Sequence, residues 1–226
     1  MADLIVPDPP ESIYRYRGGA TDPVPYARPL FQGDIFPNVT IPGVSASPFS
    51  IVISHPCTMR QGPALRGHLL LAAVRTTDTG FVRLCEKNFR VAGLPQLDGG
   101  SDYIACFEEV GRVASGALSL GARSACLSDY GLAYLQQRQI YFLTRYEVEV
   151  DALDEQNAPL HLEAELLEEW REGAFEGLST QQVQQHEQVV DREFDQYFAK
   201  HRSVVNQRAQ HGTIRRDVRA EVGRRL

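Results

Sequence analysis

Short apolar segments rich in β-branched residues alternate with polar, Pro/Gly-rich segments through the first half of the chain. Runs of this kind are typical of strands bounded by turns. They predict strands at residues 31–36, 49–55, 68–76, 80–85 and 102–114. Because no helical pattern intervenes, an antiparallel barrel is favoured over a parallel sheet. The preceding residues 1–29 contain six prolines and a Gly-Gly pair, which indicates an extended, partly ordered arm.

Helical periodicity starts after the last predicted strand and continues towards the end of the chain. Ser128 can cap the free N–H groups of a first helix, which the pattern extends to about Arg145. The acidic segment that follows predicts a second, short helix. Its apolar face would hold Leu162, Leu166 and Trp170.

A third helix, predicted at residues 180–205, has the clearest start signal, because Ser179 and Gln182 form a capping box. Apolar residues then recur at helical spacing: Val183, Val190, Phe194, Tyr197 and Phe198. The final Arg-rich residues weaken into a frayed tail. The predicted fold class is therefore α+β, with three segments: an arm at 1–29, a small antiparallel barrel at 30–146 and a helical extension at 147–226.

Charge is distributed unevenly along the 226 residues, which are long enough for one core with an appendage or for two small domains. The net charge is −6, whereas the stretch from His201 onward carries +5, which leaves −11 for the rest. Residues 147–176 hold eleven acidic groups against the lone Arg171. An acidic body disfavours broad capture of duplex nucleic acid, so any such contact needs a local basic groove or the tail.

The sequence carries few signals of a cellular compartment or of a bound cofactor. The sequence has no apolar run approaching 18 residues and no signal-peptide pattern, so we expect a cytoplasmic protein without a membrane span. The four cysteines lie far apart and form no CxxC pair, which favours reduced thiols and gives no metal-binding or cofactor-binding motif. They are Cys57, Cys85, Cys106 and Cys126.

The order of several segments resembles the PemK/MazF toxin family, whose members are metal-independent ribonucleases with a CcdB-like, SH3-type barrel. The similar segments are GDIF at 33–36, SPFSIVISH at 47–55, LLLAAVRTT at 69–77, YIACFEEVGRVASGAL at 103–118 and ACLSDYGLAYL at 125–135. The resemblance covers about residues 30–145. It implies an SH3-like barrel, a homodimer, an endoribonuclease acting on single-stranded RNA, and an antitoxin or other partner encoded in the same operon.

Two positions depart from the family pattern. The family has an Arg immediately before the Pro that opens its second strand, where this chain has Ser47. The family's Thr at the end of the third strand aligns with Arg75, which Thr76 and Thr77 follow. Three interpretations stay open: a ribonuclease with a relocated site, a non-catalytic barrel that binds protein or nucleic acid in a bacterial defence or stress system, and a His/Cys enzyme of another class.

RNA cleavage of this type needs a base, a leaving-group acid and a cation for the phosphate. His55 suits either proton role, and Arg75, with Thr76 beside it, suits the phosphate. We therefore predict these three as catalytic, with His55 and Arg75 facing each other across the mouth of the barrel. The predicted substrate-binding residues are Ser54, Arg60, Arg66 and Thr77.

Other chemistry at the same strands is less well supported. Cys57 could act as a thiol nucleophile beside His55, two residues away. A metal site built from His55, Cys57 and His68 lacks a recognisable fourth ligand. Glu108 and Glu109 are consecutive strand residues, so their side chains should point to opposite faces and cannot share one proton-transfer site.

The helical extension has no counterpart in the resemblance. Its acidic segment, at residues 147–177, could lie across the barrel as a built-in inhibitor. The simpler alternative is that the helix at 180–205 packs its apolar stripe on the barrel or on a second copy of the chain.

Overall fold

The structure is a computed structural model that describes residues 10–17, 24–61, 64–77, 85 and 88–225. The strand predicted at 80–85 lies outside the described residues, apart from Cys85. The chain divides into two compact units. The sheet unit comprises Met1–Val24, Leu30–Met59 and Arg66–Gln156, and the helical unit comprises Pro25–Pro29, Arg60–Leu65 and Asn157–Leu226.

A curled antiparallel sheet forms a half-barrel in the sheet unit and has seven strands among the described residues. In spatial order they are β1 (Tyr14–Arg17), β9 (Ala125–Leu127), β2 (Asp34–Pro37), β3 (Phe49–Val52), β6 (His68–Thr76), β8 (Tyr103–Ala114) and β7 (Val91–Leu94). A separate two-residue hairpin pairs β4 (Arg60–Gln61) with β5 (Ala64–Leu65). The antiparallel α+β architecture predicted from the sequence is confirmed at this level.

The N-terminal arm contributes a strand, which the sequence analysis did not predict. Tyr14–Arg17 pairs with β9 and forms one edge of the sheet. The turn before it carries Ile13, whose carbonyl accepts the Ser128 N–H at 2.9 Å. Gly131 allows this close approach, because a Cβ there would lie 2.1 Å from the Ile13 carbonyl oxygen. Residues 10–17 of the arm are therefore built into the sheet unit, whereas Pro25–Pro29 belong to the helical unit.

The described residues form five helices: α1 (Pro56–Met59), α2 (Asp129–Thr144), α3 (Val150–Phe175), α4 (Thr180–Phe198) and α5 (His211–Arg225). Two of them, α2 and α4, begin where the capping signals of Ser128 and Ser179 predicted. The Ser128 hydroxyl accepts the Gly131 N–H, and Ser179 and Gln182 form the full capping box. Helix α2 covers the apolar face of the sheet, where Leu135 joins Ile35, Ile51 and many other buried side chains in one core.

The helical unit has its own core between α3, α4 and α5. Leu166, Trp170 and Phe194 are buried there, as their spacing predicted. Two expectations were wrong: the acidic segment forms a 26-residue helix rather than a short one, and the Arg-rich end is a helix rather than a frayed tail. Ile214 and Val218 anchor that last helix, since both are at most 1 % exposed.

No helix among the described residues is long and apolar enough to cross a membrane.

The opposite charges of the acidic segment and the tail pair with each other. Arg215 of α5 contacts both carboxylate oxygens of Glu165 on α3, at 3.0 and 2.8 Å. Arg219 contacts Glu169 in the same way, at 2.9 and 2.6 Å. The carboxylates of Glu165 and Glu169 are therefore engaged within the helical unit.

Candidate functional site

The structure separates the two residues predicted to form the catalytic centre. Strands β3 and β6 are antiparallel, with Val52 opposite Leu71 and Phe49 opposite Val74. His55 follows the end of β3, whereas Arg75 lies at the other end of the pair. At about 3.3 Å per strand residue, roughly 20 Å separates them along the strand direction. The prediction that the two residues face each other across the mouth of the barrel is wrong. In an antiparallel pair, the C-terminal ends of the two strands point in opposite directions, so residues that follow them lie at opposite ends of the pair.

The His55 ring is held by local hydrogen bonds at its end of the sheet. Its Nδ1 atom accepts the backbone N–H of Cys57 at 3.3 Å, and its carbonyl accepts the Thr58 hydroxyl at 2.8 Å. Partial burial lowers the pKa of His55. A neutral ring that accepts the Cys57 N–H at Nδ1 carries its proton on Nε2, where it can donate a hydrogen bond.

Arg75 clamps a loop onto the sheet. Its Nε donates to Glu109 at 2.7 Å, and its terminal nitrogens donate to the Ala46 carbonyl at 3.1 Å and to both the carbonyl and the hydroxyl of Ser45 at 3.2 and 2.7 Å. The hydrogen bond to Glu109 is the main reason that the pKa of Arg75 is raised. The guanidinium therefore has its donors engaged inside the protein.

Glu109 reaches Arg75 because β8 is irregular at this level. The register shifts between Ala72 and Ala73 of β6, whose partners are Val110 and Cys106, so the residues between those two form a bulge. Bulges re-aim side chains in this way. Glu108 points elsewhere and pairs with Arg90 at 3.1 Å. The predicted divergence of the two consecutive glutamates is confirmed.

The predicted residues beside Arg75 carry hydroxyl side chains, which are poor acids and bases near neutrality. Thr76 is exposed and pairs with Tyr103, and the Thr77 N–H donates to the Asp102 carbonyl at 3.0 Å. At the family's Arg position, the Ser47 hydroxyl donates to the Phe49 carbonyl at 2.9 Å. This end of the sheet therefore has one engaged guanidinium and no second acid or base of suitable pKa among the predicted residues.

Arg60 and Arg66, both predicted to bind substrate, belong to different units. The Arg60 guanidinium lies 3.3 Å from Asp191 within the helical unit, and burial lowers its pKa. Its predicted role as a substrate contact is disfavoured, because a carboxylate holds it. Arg66 is exposed in the sheet unit, where its backbone N–H donates to the Met59 carbonyl at 2.8 Å.

Five exposed residues gather at one end of the β3–β6–β8 sheet and define what we call the His55 surface. His68 and Leu70 alternate onto one face of β6, and Arg112 lies directly opposite Leu70 on β8. The Ser54 hydroxyl accepts the Leu70 N–H at 2.7 Å, which brings the end of β3 alongside. The surface comprises His55, Arg66, His68, Leu70 and Arg112, of which Leu70 is 42 % exposed.

The four cysteines are all free thiols, and they differ in exposure. Cys57 is exposed at the start of α1, and the other three are free thiols in or near the sheet core. Burial raises the pKa of both Cys85 and Cys106 to about 11, so these two stay protonated near neutrality. Among the described residues, no group of three or more His, Cys, Asp or Glu side chains could hold a metal ion.

A buried ion pair that the sequence analysis missed lies elsewhere in the sheet unit. Arg123 contacts Asp34 at 3.0 Å, and both side chains are fully buried. Asp34 also accepts the Phe31 N–H at 3.0 Å. A usable signal was present, since Asp34 stands directly before a run of buried strand residues, where an aspartate needs a partner.

Comparisons with known proteins do not assign this site. No protein-family model matches the chain, and no curated protein is significantly similar to it. The resemblance to the PemK/MazF family therefore stays a prediction.

Proposed function

We propose that this chain is a protein-binding subunit built on a half-barrel that lacks ribonuclease activity. The observation that carries the proposal is the distance between His55 and Arg75, together with the engagement of Arg75 by Glu109, Ser45 and Ala46. A phosphodiester transesterification needs its proton-transfer group and its cation at one phosphate. Here the two groups lie at opposite ends of the sheet.

The His55 surface is the contact face that we assign to this function. It combines two arginines, two histidines and an exposed leucine on a sheet unit that belongs to an acidic body. Cations around an apolar side chain match an acidic protein segment that carries its own apolar residue. Single-stranded RNA is the weaker match, because sequence-tolerant RNA binding uses exposed aromatic side chains for stacking, and these five residues include none beyond the two imidazoles.

Induced expression should cause no growth arrest and no RNA cleavage. Wild type, His55→Ala and Arg75→Ala are compared for growth and for cleavage of a labelled single-stranded RNA. All three should match an empty vector, because no catalytic pair is assembled. Growth arrest and cleavage that wild type shows and both variants lose would overturn the proposal and restore the ribonuclease interpretation.

The contact face is tested with two labelled probes in fluorescence anisotropy: a 15-residue peptide of alternating Glu and Leu, and a 15-nucleotide uridine oligomer. We expect the peptide to bind more tightly, and the pair Arg66→Ser and Arg112→Ser to weaken it about fivefold through lost charge. Arg90→Ser is the matched control, since Arg90 is exposed but paired with Glu108. Tighter binding of the oligomer would contradict a protein-binding role.

A further inference from the structure

The helical unit contains a cavity of about 180 Å³. A water molecule occupies about 30 Å³ of liquid, and pockets for drug-sized ligands begin at about 300 Å³, so this cavity suits one head group the size of a side chain. Its lining comes from α3, α4 and α5: Trp170, Gly173, Ala174, Glu193, Val222 and Arg225.

Arg225 forms one wall of this cavity, and its contacts show which chemistry the Trp170 ring and the nearby carboxylates accommodate. Its guanidinium carbon lies 4.3 Å from the centroid of the Trp170 ring, which is a cation–π contact. One terminal nitrogen lies 2.7 Å from Glu193, and Nε lies 3.2 Å from Glu221. An aromatic face flanked by two carboxylates is a complementary environment for a planar cation.

Small residues on α3 lie beside Trp170, which is 2 % exposed with Arg225 in place. Gly173 and Ala174 follow Trp170 by three and four positions, so all three lie on one face of the helix. A glycine inside a helix costs about 1 kcal/mol relative to alanine. Here the Gly173 backbone and Ala174 line the cavity beside the ring.

Arg225 can leave the site without unfolding the helix that carries it. It is the last residue of α5, where helices fray readily, and its side chain is 43 % exposed. The buried anchors of α5 are Ile214 and Val218, which lie two to three turns earlier. The guanidinium is therefore a tethered occupant rather than part of the core.

We propose that Trp170, Glu193 and Glu221 form a guanidinium-binding site that Arg225 plugs, and that another alkylguanidinium takes its place. The source is either an arginine side chain of a partner protein or a free small guanidinium. The tethered group competes at a millimolar effective concentration, so it weakens the apparent affinity for an external guanidinium. This proposal uses only the helical unit and does not depend on the role of the His55 surface.

Trp170 is the one tryptophan in the sequence, so its fluorescence reports the site directly. Full-length wild type and Arg225→Ala are titrated with methylguanidinium chloride and with the peptide acetyl-Gly-Arg-Gly-amide, against NaCl at equal ionic strength. Arg225→Ala should give a saturable change at roughly tenfold lower concentration than wild type. A clear preference for the peptide assigns the source to a protein arginine, whereas equal responses assign it to a free guanidinium.

Matched variants separate binding from folding. Arg216→Ala removes an exposed arginine of the same helix, whose guanidinium lies 3.4 Å from Thr213 and does not line the cavity, so it should behave as wild type. Glu193→Gln in the Arg225→Ala background should abolish the saturable response. Arg225→Gln provides a second opened site if alanine disturbs the helix. The proposal is overturned if Arg225→Ala and Arg225→Gln both fold, as judged by circular dichroism, yet neither gives a saturable change in Trp170 fluorescence. It is also overturned if wild type gives that change at the same ligand concentrations as the variants.

Discussion

Replacing Asp34 with alanine should lower the free energy of unfolding by about 3–5 kcal/mol, because it leaves Arg123 buried without its carboxylate. Both side chains of this pair are fully buried, and the two atoms in contact lie 3.0 Å apart. Asp34 also accepts the Phe31 N–H, so the substitution orphans a backbone donor as well. Urea unfolding followed by circular dichroism measures the loss.

Glu108→Ala is the matched control for this prediction. Glu108 also pairs with an arginine, but both side chains of its pair are 55 % exposed. Because exposed ion pairs contribute about 0–1 kcal/mol, this variant should unfold close to wild type. The double variant Asp34→Leu, Arg123→Met should recover part of the lost stability, since it removes both buried charges. Equal stability of Asp34→Ala and Glu108→Ala would refute the structural role of the buried pair.

Asp191→Ala should destabilise the helical unit by about 1–3 kcal/mol, because Arg171 loses two buried hydrogen bonds and keeps Glu187, 2.8 Å away, as a carboxylate partner. The Asp191 carboxylate accepts two hydrogen bonds from Arg171, at 2.7 and 2.8 Å, and lies 3.3 Å from Arg60. Arg171 is only 1 % exposed, so its charge cannot be transferred to water without unfolding. The fluorescence of Trp170, on the same helix as Arg171, should report the shift of the unfolding midpoint.

Asp195→Ala provides the comparison on the same helix, one turn later. Asp195 pairs with Arg202, whose side chain is 49 % exposed and keeps its hydration when the carboxylate is lost. We expect a change below about 1 kcal/mol. If Asp191→Ala were no more harmful than Asp195→Ala, the network around Arg171 would not stabilise the helical unit.

Antiparallel topology explains why the candidate site was predicted incorrectly. The apolar runs that end on His55 and Arg75 look equivalent in the sequence, because each ends on polar residues. In a parallel pair the C-terminal ends of both strands would lie side by side. In the observed antiparallel pair they lie at opposite ends. The predicted antiparallel pairing of these two strands by itself implies that His55 and Arg75 lie far apart.

The partners in ion pairs between distant residues could not be predicted from the sequence. Arg171 stood out as the lone cation in the acidic segment, which was a sign of burial, yet its partner Asp191 lies twenty residues away. The partner of Arg75 depended on a bulge in β8 that re-aims Glu109. Nothing in local spacing encodes such a register shift, because it results from how two strands fit together.

The sequence alone determined the local elements: where helices start at Ser128 and Ser179, which faces of them are apolar, and that the first half forms short antiparallel strands. These features follow from backbone capping and side-chain periodicity, which act within a few residues. Only the tertiary structure decided which charges are paired and which stay exposed. Ion pairs such as Asp34 with Arg123 join residues far apart in the chain, so they exist only once packing has excluded water from both.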